Sequence, residues 1–166
     1  MKQLWLKVSD ALVLIMCLAF VFLFIIALIP AIPFILVYAY FSDKQSEKEY
    51  NRFLERMNGA CFFCYNSRKS SVEFARDVIV PELAASVRVV YVDGSKVVAG
   101  TESGYISKML YRITERKGFP YLLKINNKQI LELSVNNQFY SIMIGRKPTA
   151  PLLDRINYFF EYATLD

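Results

Sequence analysis

Two cysteines three positions apart are the residues of this chain best suited to chemistry. Cys61 and Cys64 enclose two phenylalanines, and a Cys-x-x-Cys pair at the start of a helix can cycle between dithiol and disulfide. In a strand the same spacing sets the two Cα atoms about 10 Å apart with side chains on opposite faces, beyond the roughly 7 Å limit of a disulfide. The apolar run around the pair predicts a strand. Structural cysteines are the favoured interpretation, and a redox pair is the alternative.

Composition limits the other reaction types. The chain of 166 residues contains no histidine, and histidine is the commonest general base and the commonest metal ligand. Serine–histidine triads and zinc-hydrolase sites are therefore excluded, and we predict no metal and no cofactor. The formal net charge of +5 is spread without a dense basic block, so the sequence does not predict binding of nucleic acid.

The amino-terminal third has the composition of a membrane anchor. Residues 11–41 are thirty-one positions without a charged side chain, whereas a bilayer core needs about twenty apolar helical residues. A cleavable secretory signal has an apolar centre of about seven to fifteen residues and a small-residue cleavage site. The apolar run of this chain is at least twice that long, and no Ala-x-Ala cleavage pattern follows it. We therefore expect residues 1–10 to flank a single transmembrane helix that is bent near Pro30 and Pro33, because proline lacks an amide donor and clashes with the preceding turn. A re-entrant hairpin is the alternative.

Basic residues beside the apolar segment predict its orientation. Lys2 and Lys7 precede it, and a larger group follows it: Lys44, Lys48, Arg52 and Arg56. The positive-inside rule then favours a cytoplasmic carboxy-terminal domain, with a periplasmic or other extracytoplasmic location as the alternative. Residues 42–58 are polar with apolar residues at helical spacing, which predicts a juxtamembrane stalk helix.

From residue 59 onwards, short apolar runs alternate with helical patterns. The predicted elements are strand 60–65, helix 71–85, strand 87–92, helix 103–117, strands 121–125 and 129–135 of a hairpin, and helix 148–162. These assignments follow from apolar periods of 3.6 for helices and from short apolar runs bounded by turn residues for strands. The order β, α, β, α, β, β, α predicts one α/β domain over residues 59–166, with about a hundred residues to build one core.

One motif gives this order a family resemblance. The run Gly118 to Leu123 leads into the hairpin and the final amphipathic helix, and together with the element order it makes residues 59–163 resemble the thioredoxin fold. The resemblance implies that Pro120 is a cis proline facing the active site. It also implies a Cys-x-x-Cys at the start of the first helix, but the loop at that place, Asn66 to Ser71, contains no sulfur. The resemblance is therefore to a thioredoxin-like domain that lacks the usual redox pair.

Basic loops supply the candidate binding residues. Arg68 and Lys69 precede a predicted helix amino terminus, where free backbone amides favour an anion. Under the thioredoxin-like interpretation this loop and a second basic loop lie near Pro120 and make a small positive groove, and two exposed basic loops are the alternative. The candidate residues are Arg68, Lys69, Pro120, Tyr121, Arg146 and Lys147. Phe139 and Tyr140 stand in a polar segment and are expected to be exposed for a protein contact.

Three hypotheses about function follow. The preferred one is a membrane-tethered, redox-inactive thioredoxin-like module for binding or assembly, which docks a membrane or membrane-associated protein across the Pro120 face. The alternative is a membrane-bound thiol-disulfide oxidoreductase that uses Cys61 and Cys64. In the third, the globular domain stabilises an anchor that belongs to a larger membrane complex.

Overall fold

The chain consists of two compact units. The computed structural model describes the backbone of residues 2–28 and 30–163 and the side chains of residues 13–26 and 30–163. Side chains of the predicted flank 1–10, including Lys2 and Lys7, lie outside the described residues. The first unit comprises Met1–Lys48 and the second Glu49–Asp166.

Two long helices form the amino-terminal part of the chain. Helix α1 spans Lys2–Leu28 and helix α2 spans Ala31–Arg56, with Pro30 at the break between them. Pro33 lies in the first turn of α2, where its missing amide would have had no helical partner. Within the described residues, no helix passes the length and hydropathy test for a membrane span by itself, whereas Val13–Ile26 and Ala31–Arg56, bent by 44°, pass it together.

A five-stranded sheet organises the second unit. Its strands are β1 Cys61–Asn66, β2 Val87–Asp93, β3 Lys96–Val98, β4 Tyr121–Asn126 and β5 Gln129–Ser134, and they lie in the order β3-β2-β1-β4-β5. Strand β1 is central, pairing in parallel with β2 and antiparallel with β4. The outer pairs β2-β3 and β4-β5 are antiparallel.

The connecting helices are short. They are α3 Val72–Phe74 with a π-helical turn Ala75–Ile79 and a 3₁₀ turn Val80–Glu82, then a 3₁₀ turn Gly100–Glu102 leading into α4 Ser103–Tyr111, then α5 Asn136–Gly145 and α6 Ala150–Tyr162. The crossover from β1 to β2 is irregular because Pro81 has no amide to donate to a longer α-helix.

Alternate side chains of β1 divide the unit into two cores. Phe62 and Cys64 pack in one core with residues of α2 and α4, among them Tyr50, Phe53, Ile106 and Met109. Phe63 and Tyr65 pack in the other core with residues of the remaining helices, among them Ile79, Phe139, Leu152 and Ile156. A strand buried on both faces needs a continuous apolar run, and the sequence of β1 provides one.

The structure confirms the α/β class and the positions of the four predicted strands, whose ends differ by at most one residue. Strand β3 and helix α5 are additional elements. The predicted helix 103–117 ends at Tyr111. Beyond this end, Thr114 N and Glu115 N donate to Glu132 Oε1 at 2.8 and 3.1 Å rather than to helix carbonyl groups.

The predicted stalk helix 42–58 differs from the structure in its role. Helix α2 continues to Arg56, and its apolar face, made of Tyr50, Phe53 and Leu54, is buried in the core. These residues of α2 therefore belong to the second compact unit, Glu49–Asp166. The helical spacing of these residues places them on one face of α2, and this face packs in the core of the second unit.

A glycine corner joins α4 to β4. Gly118 has a φ of +95°, and a Cβ at this position would lie 2.8 Å from Asn136 Nδ2. The Asn136 amide donates a hydrogen bond to the carbonyl oxygen of Phe119, and Ser134 Oγ donates to the carbonyl oxygen of Gly118 at 2.7 Å. The corner thus requires both a backbone conformation that favours glycine and the space that glycine leaves.

We expect Gly118→Ala to lower the free energy of unfolding by about 2 kcal/mol or more, because a left-handed backbone costs an alanine about 1–2 kcal/mol and the new methyl group displaces Asn136. Urea unfolding of the full chain in detergent, followed by tyrosine circular dichroism, measures this change. Gly104→Ala is the matched control, because Gly104 is helical with open space around it, and alanine there is neutral or stabilising by up to about 1 kcal/mol. Equal losses in the two variants would contradict the prediction.

Candidate functional site

Strand β1 separates the two candidate thiols. Cys61 and Cys64 stand opposite Val87 and Val90 of the parallel strand β2, so their side chains project from opposite faces of the sheet. Cys64 is buried in a core, whereas Cys61 is half-buried with its Sγ 3.6 Å from the carbonyl oxygen of Gly59. Both are free thiols. The structure does not bring them together.

The acidity of the two thiols also differs from that of a redox site. Burial raises the pKa of the Cys64 thiol far above its ordinary value. Burial also raises the pKa of Cys61, and the positive charge of Lys124 opposes this only in part. Redox-active cysteines need a lowered pKa so that the thiolate is present at neutral pH. Geometry and acidity therefore both weigh against the dithiol alternative.

In a Cys17→Ala background, we expect iodoacetamide to modify Cys61 of the folded protein while Cys64 reacts at least about a hundredfold more slowly, because exposing Cys64 requires opening of the core. Tandem mass spectrometry of the tryptic peptide 57–68, which contains both cysteines, measures both rates after timed quenching. In denaturing urea the two rates should converge, which controls for intrinsic reactivity. Equally fast modification of both thiols in the native state would contradict the strand placement.

The loop 67–71 follows the carboxyl end of β1. Its backbone is held at both ends, since Ser67 N donates to the carbonyl oxygen of Val92 at 2.9 Å and Ser71 Oγ donates to that of Arg68 at 3.1 Å. The side chains of Arg68 and Lys69 are exposed. A fixed backbone therefore presents two cations at this end of the sheet.

The Pro120 corner lies at the same end of the sheet. Cys64 pairs with Tyr121, and one further step of this antiparallel register brings Pro120 next to the end of β1. The Phe119–Pro120 peptide bond is cis, which is the geometry that the thioredoxin resemblance implies for this proline.

Tyr121 supports this corner from inside. Its side chain is buried, and its hydroxyl accepts a hydrogen bond from Gly118 N at 2.9 Å and donates one to the carbonyl oxygen of Glu115 at 3.2 Å. Pro120 is buried as well. Of the predicted binding residues in this region, Arg68 and Lys69 are the ones that present exposed side chains.

The second basic loop lies further along α5. The Arg68 guanidinium lies 5.9 Å from the ring centre of Tyr140 on this helix, and the six residues from there to Arg146 advance the helix by about 9 Å. Arg146 has a left-handed backbone with φ +47°, and Lys147 Nζ donates to Ser141 Oγ at 3.2 Å. The Arg68 guanidinium thus lies beside Tyr140, and in the described part of the chain no hydrogen bond or ion pair links Arg146 or Lys147 to the loop 67–71.

The prediction for Phe139 is wrong. Its side chain is fully buried and packs edge-to-face on Phe74 with ring centres 5.1 Å apart. Sequence reasoning missed helix α5 because three polar residues begin it. The spacing of Val135, Phe139 and Ile142, all buried in one core, is a helical period that identifies the helix in retrospect. Tyr140 is half-buried beside Arg68 and joins the candidate surface.

Comparisons with known proteins assign no family. No protein-family model, no curated protein and no solved structure matches this chain. Within the residues that the structure describes, no three Cys, Asp or Glu side chains converge to hold a metal ion. A function must therefore be inferred from the loop 67–71, the Pro120 corner and Tyr140.

Proposed function

We propose that this protein is a membrane-tethered, redox-inactive module for binding or assembly, and that it docks a protein partner across the Pro120 face. One observation carries this proposal: the carboxyl end of β1 presents the exposed cations Arg68 and Lys69 from a hydrogen-bonded loop. A surface whose backbone is already fixed loses little conformational freedom when a partner binds.

The residue types of this surface favour a protein partner. Arginine and tyrosine are enriched at the centres of protein interfaces, and here the Arg68 guanidinium lies 5.9 Å from the Tyr140 ring centre. A cation over an aromatic ring contributes about 0.5–1 kcal/mol at an exposed site, which orients Arg68 before binding. The loop carries no thiol, and its serines have no histidine to activate them.

A thioredoxin-like domain is the fold we propose for the second unit. The parallel pair β1-β2, the antiparallel hairpin β4-β5 and the two cores on opposite faces of the sheet support it, with β3 as an added edge strand. Under this proposal the loop 67–71 stands where thioredoxins carry their dithiol. The chain would keep the docking place of the family and lack its sulfur chemistry.

Exposed apolar side chains support the membrane tether. In the described part of residues 13–41, large apolar side chains such as Phe20 and Phe34 are 73% and 77% exposed. Burying one such side chain is worth about 1.5–3 kcal/mol, and a bilayer is the solvent that removes them from water. Tyr38 and Tyr40 suit the headgroup region. We propose a cytoplasmic location for the second unit, and an extracytoplasmic location is the alternative.

The oxidoreductase alternative makes a different demand on the structure. It needs Cys61 and Cys64 to approach each other and one of them to ionise. Their opposite orientation on β1 and their raised pKa values favour neither step. The binding hypothesis needs no such rearrangement, and we prefer it for this reason.

A photo-crosslinking amino acid in place of Lys69 should capture a partner in isolated membranes, and Arg68→Glu should lower the crosslink yield about tenfold, as expected for loss of an interface hot spot. Quantitative mass spectrometry of the crosslinked species measures both effects. Lys147 replaced by the same crosslinker, with Arg146→Glu as the charge reversal, is the matched control, and its yield should be low and insensitive to the charge.

Three results would contradict the parts of this proposal separately. A chain that carbonate releases into the supernatant contradicts the tether. A crosslink yield at position 69 that is insensitive to Arg68→Glu contradicts the docking surface. Loss of the crosslink in a Cys61→Ser, Cys64→Ala variant that remains folded favours the oxidoreductase alternative.

A further inference from the structure

Half of the backbone hydrogen-bonding groups of β5 face away from the sheet. Val135 N donates to the carbonyl oxygen of Pro120 at 3.1 Å, so these two residues form a hydrogen-bonded pair. Such pairs alternate along an antiparallel ladder. In the register of β4 and β5, the backbones of Gln129, Leu131 and Leu133 therefore bond to β4. The groups of Ile130, Glu132 and Ser134 then point outwards. In the described part of the chain, no hydrogen bond reaches these outward backbone groups.

A cleft of about 370 Å³ opens beside this edge. Helix α2, helix α4 and strand β5 form its walls, and Ile130 and Glu132 are two of the lining residues. The backbone groups of Ile130 and Glu132 are among those that face outwards. In an antiparallel pair, residues directly opposite each other have their side chains on the same face of the sheet. A sixth strand added to β5 would therefore direct every second side chain towards the cleft.

The charges around the cleft favour an acidic side chain. Its lining contains the cations Arg112 and Lys128 and one carboxylate, Glu132. Glu132 Oε1 already accepts hydrogen bonds from Thr114 N at 2.8 Å, Thr114 Oγ1 at 2.7 Å and Glu115 N at 3.1 Å. These neutral donors satisfy the hydrogen-bonding capacity of Oε1 but leave the charges of the lining at two cations and one carboxylate.

The cleft also offers apolar contact, because Leu54, Met109 and Ile130 line it. The cations have neighbours inside the protein: Lys128 forms an ion pair with Glu55, and the Arg112 guanidinium lies 4.8 Å from the ring centre of Tyr50. A glutamate matches both features, since its methylene groups suit the apolar lining and its carboxylate suits the cations.

Self-pairing of β5 with a second copy of this chain is disfavoured in one of its two main registers. In an antiparallel self-pair, residues directly opposite each other share a face, so the registers that overlap most of β5 are centred on Leu131 or on Glu132. The first register sets each Glu132 opposite Ile130 of the other copy, and the second sets the two carboxylates opposite each other. Like charges directly opposite are destabilising, whereas the strand of a different protein has no such constraint.

We propose that β5 binds an extended segment of a protein partner as a sixth strand, with a glutamate of that segment in the cleft beside Arg112 and Lys128. This is strand addition, in which main-chain hydrogen bonds provide affinity and pockets for alternate side chains provide specificity. The surface consists of other residues than the loop 67–71 and the Pro120 corner, so it does not depend on the function proposed above.

The test uses the full chain in detergent and the fluorescein-labelled heptapeptide acetyl-TVTETVT-amide, with binding measured by fluorescence anisotropy. N-methylation of the glutamate amide, which faces β5 when the side chain enters the cleft, should weaken binding about tenfold through loss of a hydrogen bond and its geometry. N-methylation of the next threonine, whose amide faces away, should leave the affinity unchanged. Equal weakening by both, or no binding of the parent peptide at millimolar concentration, overturns the proposal.

Variants of the protein test the cleft. Asn51 lines the cleft, so Asn51→Trp should fill it and weaken peptide binding about tenfold, whereas Arg52→Trp, one position along α2 and outside the lining, should not. Equal effects of the two variants overturn the proposal. A concentration-dependent dimer of the protein alone that Asn51→Trp disrupts also overturns it, in favour of a second copy. Arg68→Glu should leave peptide binding unchanged, which separates this proposal from the one above.

Discussion

Burial of β1 on both faces and pairing on both edges is the constraint on which the second unit depends. Phe62 and Cys64 fill one core and Phe63 and Tyr65 fill the other, while β2 and β4 satisfy the backbone on either side. A strand in this position has no freedom to slip, because a shift of one residue would exchange the two sets of side chains. The helices, the loop at its carboxyl end and the Pro120 corner all take their places from it.

This constraint gives the cysteines their role. Cys64 is a small apolar group in a core, as free cysteines commonly are, and Cys61 belongs to the opposite face. The two thiols of the second unit therefore lie within β1 and at its amino end. The carboxyl end, where a thioredoxin would carry a dithiol, instead presents Arg68 and Lys69. The sheet that separates the two thiols also fixes the surface on which docking is proposed.

Sequence reasoning identified the elements whose signal is local. The strands were predictable because each is a short apolar run bounded by turn residues, and β3 was missed because three residues give no pattern. The irregular crossover after β1 combines a helical period with Pro81, and only the structure shows how the chain resolves this conflict. The period on α2 revealed its apolar face but not what the face packs against. Contacts between distant segments, such as Arg68 with Tyr140 or the cleft beside β5, leave no trace in local periodicity.

Oxidation of the folded chain tests the placement of β1 most directly. In a Cys17→Ala background, the native protein is treated with diamide, quenched with a thiol-alkylating reagent and analysed by intact mass spectrometry. The strand placement predicts that the folded protein forms no intramolecular disulfide, because the two Cα atoms of residues three apart in a strand are about 10 Å from each other. Rapid formation of a Cys61–Cys64 disulfide without loss of folded structure would contradict the account.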